Sequence, residues 1–128
     1  LYDGDVLALF DAAEKGELAK LDAPKAPKGS SAIVVLASEG YPGAYAKGKV
    51  VTGIEEAEKN GAQVLHAGTK MQDGNLVTNG GRVFGVVGHG ATLKEALDLA
   101  YAACEKVEFE GKFYRKDIGK KGLARLSK

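Results

Sequence analysis

The run QVLHAGTKMQDGNLVTNGGRVFGVVG, residues 63–88, decides the fold. It holds three short segments rich in valine and threonine: Gln63 to Lys70, Asn75 to Thr78 and Arg82 to Gly88. Each is too short for a helix and suits a strand. Between the first two stands Asp73-Gly74, a dipeptide that favours a two-residue hairpin because both positions tolerate positive φ. Asn79-Gly80-Gly81 then supplies a second tight reversal. The spacing predicts a three-stranded meander.

Upstream, Ala32 to Ser38 carries Ile33, Val34, Val35 and Leu36 in succession, apolar enough for a strand buried on both faces. A turn-rich loop follows, Glu39-Gly40-Tyr41-Pro42-Gly43, and Lys49 to Val51 has the length of a short strand. Thr52 and Glu55 form a T-x-x-E capping box that predicts a helix start, with Asn60-Gly61 as its stop. Asp3 to Glu14 reads as a short amphipathic helix capped by Asp3 or Asp5 and stopped at Gly16. Asp22 to Ser31, with Pro24, Pro27 and Gly29, fits neither periodicity and marks a boundary between two structural units.

Downstream, Thr92 and Glu95 repeat the capping box. Leu93, Ala96, Leu97, Ala100, Cys104 and Val107 then recur at steps of three and four, the strongest helix signal in the chain. Phe109 to Tyr114 adds a last strand or extended edge. Lys120 to Lys128 is basic without an apolar face and reads as a frayed tail. The order predicts an α+β fold with mostly antiparallel strands.

Composition sets outer limits. The formal net charge is +1, so no global field argues for nucleic acid or an anionic membrane. No apolar run approaches the roughly 20 residues that span a bilayer, and no signal peptide is visible. Cys104 is the only cysteine, which rules out an intrachain disulfide and favours a reducing compartment, by default the cytoplasm. Leu1 is no initiator methionine, which suggests a longer polypeptide.

No local catalytic device stands out. His66 and His89 have no metal-ligand spacing with Cys104, and Cys104 falls on an apolar helix stripe. Neither a G-x-S-x-G elbow nor a G-x-x-x-x-G-K-[ST] phosphate loop is present. No catalytic residue and no metal ligand is assigned.

Two loops carry a sharper hypothesis. Ser38, Glu39, Gly40, Tyr41, Pro42 and Gly43 would expose backbone N–H groups, a hydroxyl and a carboxylate around one spot; the alternative is a plain turn. In Thr78-Asn79-Gly80-Gly81-Arg82 the glycines let backbone approach a ligand, and Arg82 suits a phosphate or carboxylate. The alternative there is a hairpin turn with a solvated arginine. Lys47, Lys49 and Lys70 would add charge nearby. Arg115 and Asp117, in the polar string Tyr114 to Gly119, would pair to pin the C-terminus.

Three strings in register carry a resemblance over essentially the whole chain. VLASEGYPG (35–43) with Lys47-Gly48-Lys49, HAGTK (66–70) with VTNGGRV (77–83), and FYRKDIG (113–119) together resemble the C-terminal region of phosphoribosylamine–glycine ligases. The chain departs from that pattern at Lys120-Lys121 and across Gly85 to Gly90.

The resemblance implies an ATP-dependent ligase of de novo purine biosynthesis, joining glycine to phosphoribosylamine through a glycyl phosphate. It implies a barrel-like lobe with a rudimentary single-hybrid motif. Residues 1–28 would be the end of an ATP-grasp domain plus a linker, and residues 29–128 the C-terminal lobe. ATP and Mg²⁺ would be bound upstream, so this piece is expected to bind neither and to be inactive alone.

Carried over by position, Ser38 to Gly43 and Asn79 to Arg82 would face the cleft. Arg82 with the N–H groups of Gly80 and Gly81 would hold an anion. Ser38, Glu39 and Tyr41 would shape the glycine or phosphoribosylamine pocket. A free-standing module that binds a small anion or a protein, or a structural piece of a multifunctional polypeptide, are the competing expectations.

Overall fold

The computed structural model describes residues 1–126. Helix α1, Val6–Glu14, begins where the Asp5 carboxylate accepts the N–H groups of Leu7 and Ala8 at 2.9 and 3.1 Å. A single 3-10 turn, Leu18–Lys20, follows, and then irregular chain leads to strand β1, Ser30–Ser38.

Next come helix α2, Ile54–Glu58, and strands β2, Gln63–His66, β3, Thr69–Gln72, β4, Asn75–Thr78, and β5, Arg82–Gly90. Helix α3, Leu93–Lys106, strand β6, Lys112–Phe113, and helix α4, Lys120–Leu126, complete the chain. The fold is α+β with antiparallel pairing throughout, as the sequence pattern implied.

The strands do not form a meander. β5 lies between β2 and β1 in a four-stranded sheet of order β2-β5-β1-β6, while β3 and β4 form a separate hairpin. Asp73 and Gly74 turn that hairpin with φ of 50° and 77°, the geometry their types favour. The expected Gln63 to Lys70 strand breaks at Ala67-Gly68 into β2 and β3. Asn79-Gly80-Gly81 is a bridge between two sheets, because β5 finds its hydrogen bonds on β1 and β2 rather than on β4.

β1 buries one face only. Val34 and Leu36 are fully buried, whereas Ile33 and Val35 on the opposite face are 50% and 42% exposed. The inner face packs on α3, with α2 beside it against α3 and β2; no helix among the described residues is packed on the outer one. Adjacent residues Val83 and Phe84 both reach the core because the β1–β5 register shifts there: Leu36 pairs with Phe84 and Ala37 with Arg82. Such a bulge redirects successive side chains.

The core joins Val34, Leu36, Val64, Phe84 and Val86 to Ala100, Ala103, Cys104 and Val107. Full burial of Leu36 or Phe84 contributes roughly 1.5–3 kcal/mol each. The Thr92–Glu95 box is realised at α3: the Glu95 N–H donates to Thr92 Oγ1 at 3.2 Å, and the Glu95 carboxylate accepts the Ala91 N–H at 2.9 Å.

The Thr52–Glu55 box is not realised. Thr52 and Glu108 exchange backbone hydrogen bonds of 2.9 Å, which keeps Thr52 extended, and α2 starts after Gly53 at φ 80°. Gly61, at φ 88°, does follow α2 as its stop. Lys49 to Val51 is reduced to one bridge between Val50 and Val77.

The tail expected from residue 120 is a helix through Leu126, because Gly119 and Gly122 let it approach Leu97 and Leu93 of α3. Residues 127 and 128 of that predicted tail lie outside the described residues. No helix among the described residues is long and apolar enough to cross a membrane.

Candidate functional site

Ser38 is the node that brings the two candidate loops together. Its side chain is buried at the end of β1, and its N–H donates to the Gly81 carbonyl at 2.8 Å. Its hydroxyl donates to the Gly80 carbonyl at 3.3 Å, and its own carbonyl accepts the Tyr41 N–H at 3.1 Å. A residue from each loop, separated by more than 40 positions, thus meets at one corner.

Backbone contact there leaves no room for side chains. Gly40 sits at φ 92°, and a Cβ on it would stand 2.1 Å from the Ala44 carbonyl oxygen. The Tyr41 ring lies against Gly81, and the Tyr41–Pro42 peptide bond is cis. Gly43 turns back toward the Gly40 carbonyl.

A third segment closes the corner. The Gly68 N–H donates to the Arg82 carbonyl at 2.9 Å, and the Asn79 N–H donates to the Gly68 carbonyl at 2.7 Å. A Cβ on Gly68 would stand 2.7 Å from the Gly80 Cα, so glycine is required for this approach. The sequence reading assigned no site role to residues 66–68. Gly68 alone hinted at close backbone contact there, and spacing does not reveal what that backbone approaches.

Beside the corner runs an open groove of about 620 Å³, with Tyr41, His66, Gly81 and Arg82 toward one end and Ile33, Val35 and Leu65 toward the other. Arg82 is exposed, and its guanidinium has no partner among the described residues. The same holds for the Glu39 carboxylate and the Asn79 amide. The N–H groups of Gly80 and Gly81 also have no backbone partner among those residues. An exposed, unpaired guanidinium is suited to an anion with several oxygens, whereas Gly81 is buried with the Tyr41 ring against it.

The neighbouring lysines are differently placed. Lys49 is paired with Glu110 at 2.7 Å, and Lys47 lies over the Tyr45 ring. Arg115 and Asp117 do pair, at 2.6 Å, and the guanidinium hydrogen bond holds the Asp117 carboxyl below its ordinary range. The stronger tie at that end is Tyr101, whose hydroxyl donates to the Arg115 carbonyl and accepts the Ile118 N–H, both at 3.0 Å. Cys104 is buried, and burial pushes its thiol up to about 12. No group of three His, Cys, Asp or Glu side chains converges for a metal among the described residues.

A four-stranded antiparallel sheet covered on one face by α3, with glycine-rich loops meeting at one end, defines a small α+β lobe. Residues 31–121 match the family model of the phosphoribosylglycinamide synthetase C domain, and the chain belongs to that family. It is 46% identical over 118 residues to the phosphoribosylamine–glycine ligase of Caldanaerobacter subterraneus subsp. tengcongensis, covering 92% of this chain and 28% of that protein. Against the ligase of Nostoc sp. it is 52% identical over 92 residues, covering 71% of this chain and 22% of the relative.

The crystal structure of the Thermotoga maritima phosphoribosylamine–glycine ligase superposes with a TM-score of 0.71 at 44% identity, over 85% of this chain and 27% of that one. The chain thus spans about a quarter of the length of the relatives it matches.

Proposed function

We propose that this chain is the C-terminal lobe of a phosphoribosylamine–glycine ligase, with residues 1–28 the end of the preceding ATP-grasp domain and 29–128 the lobe proper. The reaction would join glycine to phosphoribosylamine in purine biosynthesis, in the cytoplasm. ATP and Mg²⁺ would supply phosphoryl transfer and charge neutralisation from the upstream portion. The described residues of this lobe offer no three-ligand cluster for the metal, and no step is assigned to the lobe through either.

The observation that carries this reading is the Ser38–Gly81 hydrogen bond of 2.8 Å. It joins the two loops on which the resemblance rests, with Arg82 left unpaired beside them. In the proposed role, Arg82 and the N–H groups of Gly80 and Gly81 hold the anionic end of substrate or of the glycyl phosphate. Glu39 would face an amine. Such preorganised donors lower a barrier without any protein nucleophile.

Arg82→Ala in the full-length enzyme tests it. Loss of a charge-assisted hydrogen bond should raise the KM for phosphoribosylamine or lower kcat about tenfold or more. Unchanged constants would overturn the assignment. The intact mass of the natural gene product separates the ligase from a free-standing binding module of about this size.

A further inference from the structure

The outer face of the four-stranded sheet has the composition of a buried one. Antiparallel strands covered on one side and solvated on the other alternate apolar and polar residues. Here the register sets Ile33 opposite Val87, and sets both Val35 and Leu65 opposite Gly85, on the side away from α3. Phe113 of β6 stands opposite Ala37 at the end of the same row. Ile33, Val35, Leu65 and Phe113 are between 42% and 54% exposed. No outward position of β1, β2 or β5 carries a lysine or a carboxylate; Arg82, opposite Ala37, brings charge at one end. Gly85 lowers the middle of the face. A Cβ there would stand 2.7 Å from Ile33 Cδ1, and the groove of about 620 Å³ runs along this strip. A contiguous apolar strip of this kind marks a surface made to be covered.

We infer that the upstream portion of the same ligase polypeptide seats on this outer face, laying an apolar surface of its own on Ile33, Val35 and Leu65. The inference rests on the ligase reading. Two observations choose this occupant over a second copy. The chain covers 28% and 22% of the two ligases named above and 27% of the solved one, so most of such a protein lies outside it. Helix α1, across the linker, packs on the Leu18–Lys20 turn and leaves Leu7 and Phe10 77% and 65% exposed. Two uncovered apolar surfaces on one piece fit a single large covering body. Docking there also sets Arg82 and Tyr41 at the seam between the two bodies, the kind of place where small ligands are enclosed.

Hydroxyl-radical footprinting of the full-length enzyme, read residue by residue by mass spectrometry, tests this directly. A covered face predicts that Ile33, Val35 and Leu65 react as slowly as the buried Val34 and Leu36, each scaled by the intrinsic reactivity of its type. Reaction near the intrinsic rates overturns the inference. Protection lost on dilution, in step with a fall from dimer to monomer by light scattering, assigns the face to a second copy and overturns it too.

Val35→Lys in the same enzyme gives a second readout. A charge set into the seam should lower the thermal midpoint by several degrees and, by displacing the Arg82 end, lower kcat/KM about tenfold or more. A variant with wild-type stability and kinetics overturns the inference. Footprinting needs no variant, so it decides even where Val35→Lys fails to fold. Mass separates the two levels: a natural product no larger than this chain removes the ligase reading and this inference with it. A full-length ligase whose outer face reacts freely removes the inference alone.

Discussion

Gly88 of β5 meets Ala96 of α3 backbone to backbone: a Cβ on Gly88 would stand 2.1 Å from the Ala96 carbonyl oxygen. The strand therefore carries glycine where the helix crosses it, and the alanines at 96 and 100 keep that crossing close. Gly88→Ala has no flexible neighbour to displace. It should destabilise the lobe by about 1–3 kcal/mol or more, read as a lower denaturation midpoint of the chain.

The Tyr41 ring and Gly81 form a second close contact, with the ring's Cδ2 2.1 Å from where a Cβ on Gly81 would be. Gly81→Ala should push Tyr41 aside, disturb the corner and lower kcat/KM of the full-length enzyme. Adding Tyr41→Ala should recover part of that loss, because the clash partner is gone. A double variant as poor as the sum of the singles would show that the two residues act independently.

Tyr101 holds the segment before α4 through two hydrogen bonds from one hydroxyl. Tyr101→Phe leaves the Ile118 N–H, which is partly buried, without its acceptor. A stability loss of about 1–3 kcal/mol follows. Limited proteolysis between residues 115 and 119 should also become faster.

Cys104 supplies a pH dependence whose sign is fixed by burial. The native thiol titrates at about 12 against an ordinary value of 9.0, so between those limits the unfolded chain loses a proton that the native chain keeps. The contribution is fully present below pH 9, declines as pH rises and is gone above about 12. Chemical denaturation at a series of alkaline pH values should show the decline, and Cys104→Ala should flatten it. The same burial predicts that the native thiol resists alkylation at pH 8.

Elements whose signals lie within a few residues were legible in the sequence. α3 combined an apolar stripe with a capping box, and the stripe residues Ala96, Leu97, Ala100 and Cys104 are its buried face. The Asp73-Gly74 hairpin needed only the positive φ of two adjacent residues. The Thr52–Glu55 box had the same local credentials and failed, because Glu108 offered Thr52 a sheet-like partner. The strand from Ala32 looked buried on both faces because apolarity records what a side chain can bury, not what is there to cover it. In this lobe α3 covers one face, and Ile33 and Val35 are open on the other.

The sequence by itself determined the α+β class, the type of the elements with strong local signals, such as α3 and the Asp73-Gly74 hairpin, and glycine positions where backbone must turn. These follow from dihedral preference and side-chain periodicity, which act over a handful of residues. The tertiary structure alone decided that β5 pairs with β1 and β2, and that Ser38, Gly68, Gly80 and Arg82 share one corner. Those choices are competitions among distant backbone donors and acceptors. Every strand in the chain could satisfy its hydrogen bonds with several others, and only the simultaneous burial of one face of the sheet against α3 selects among them.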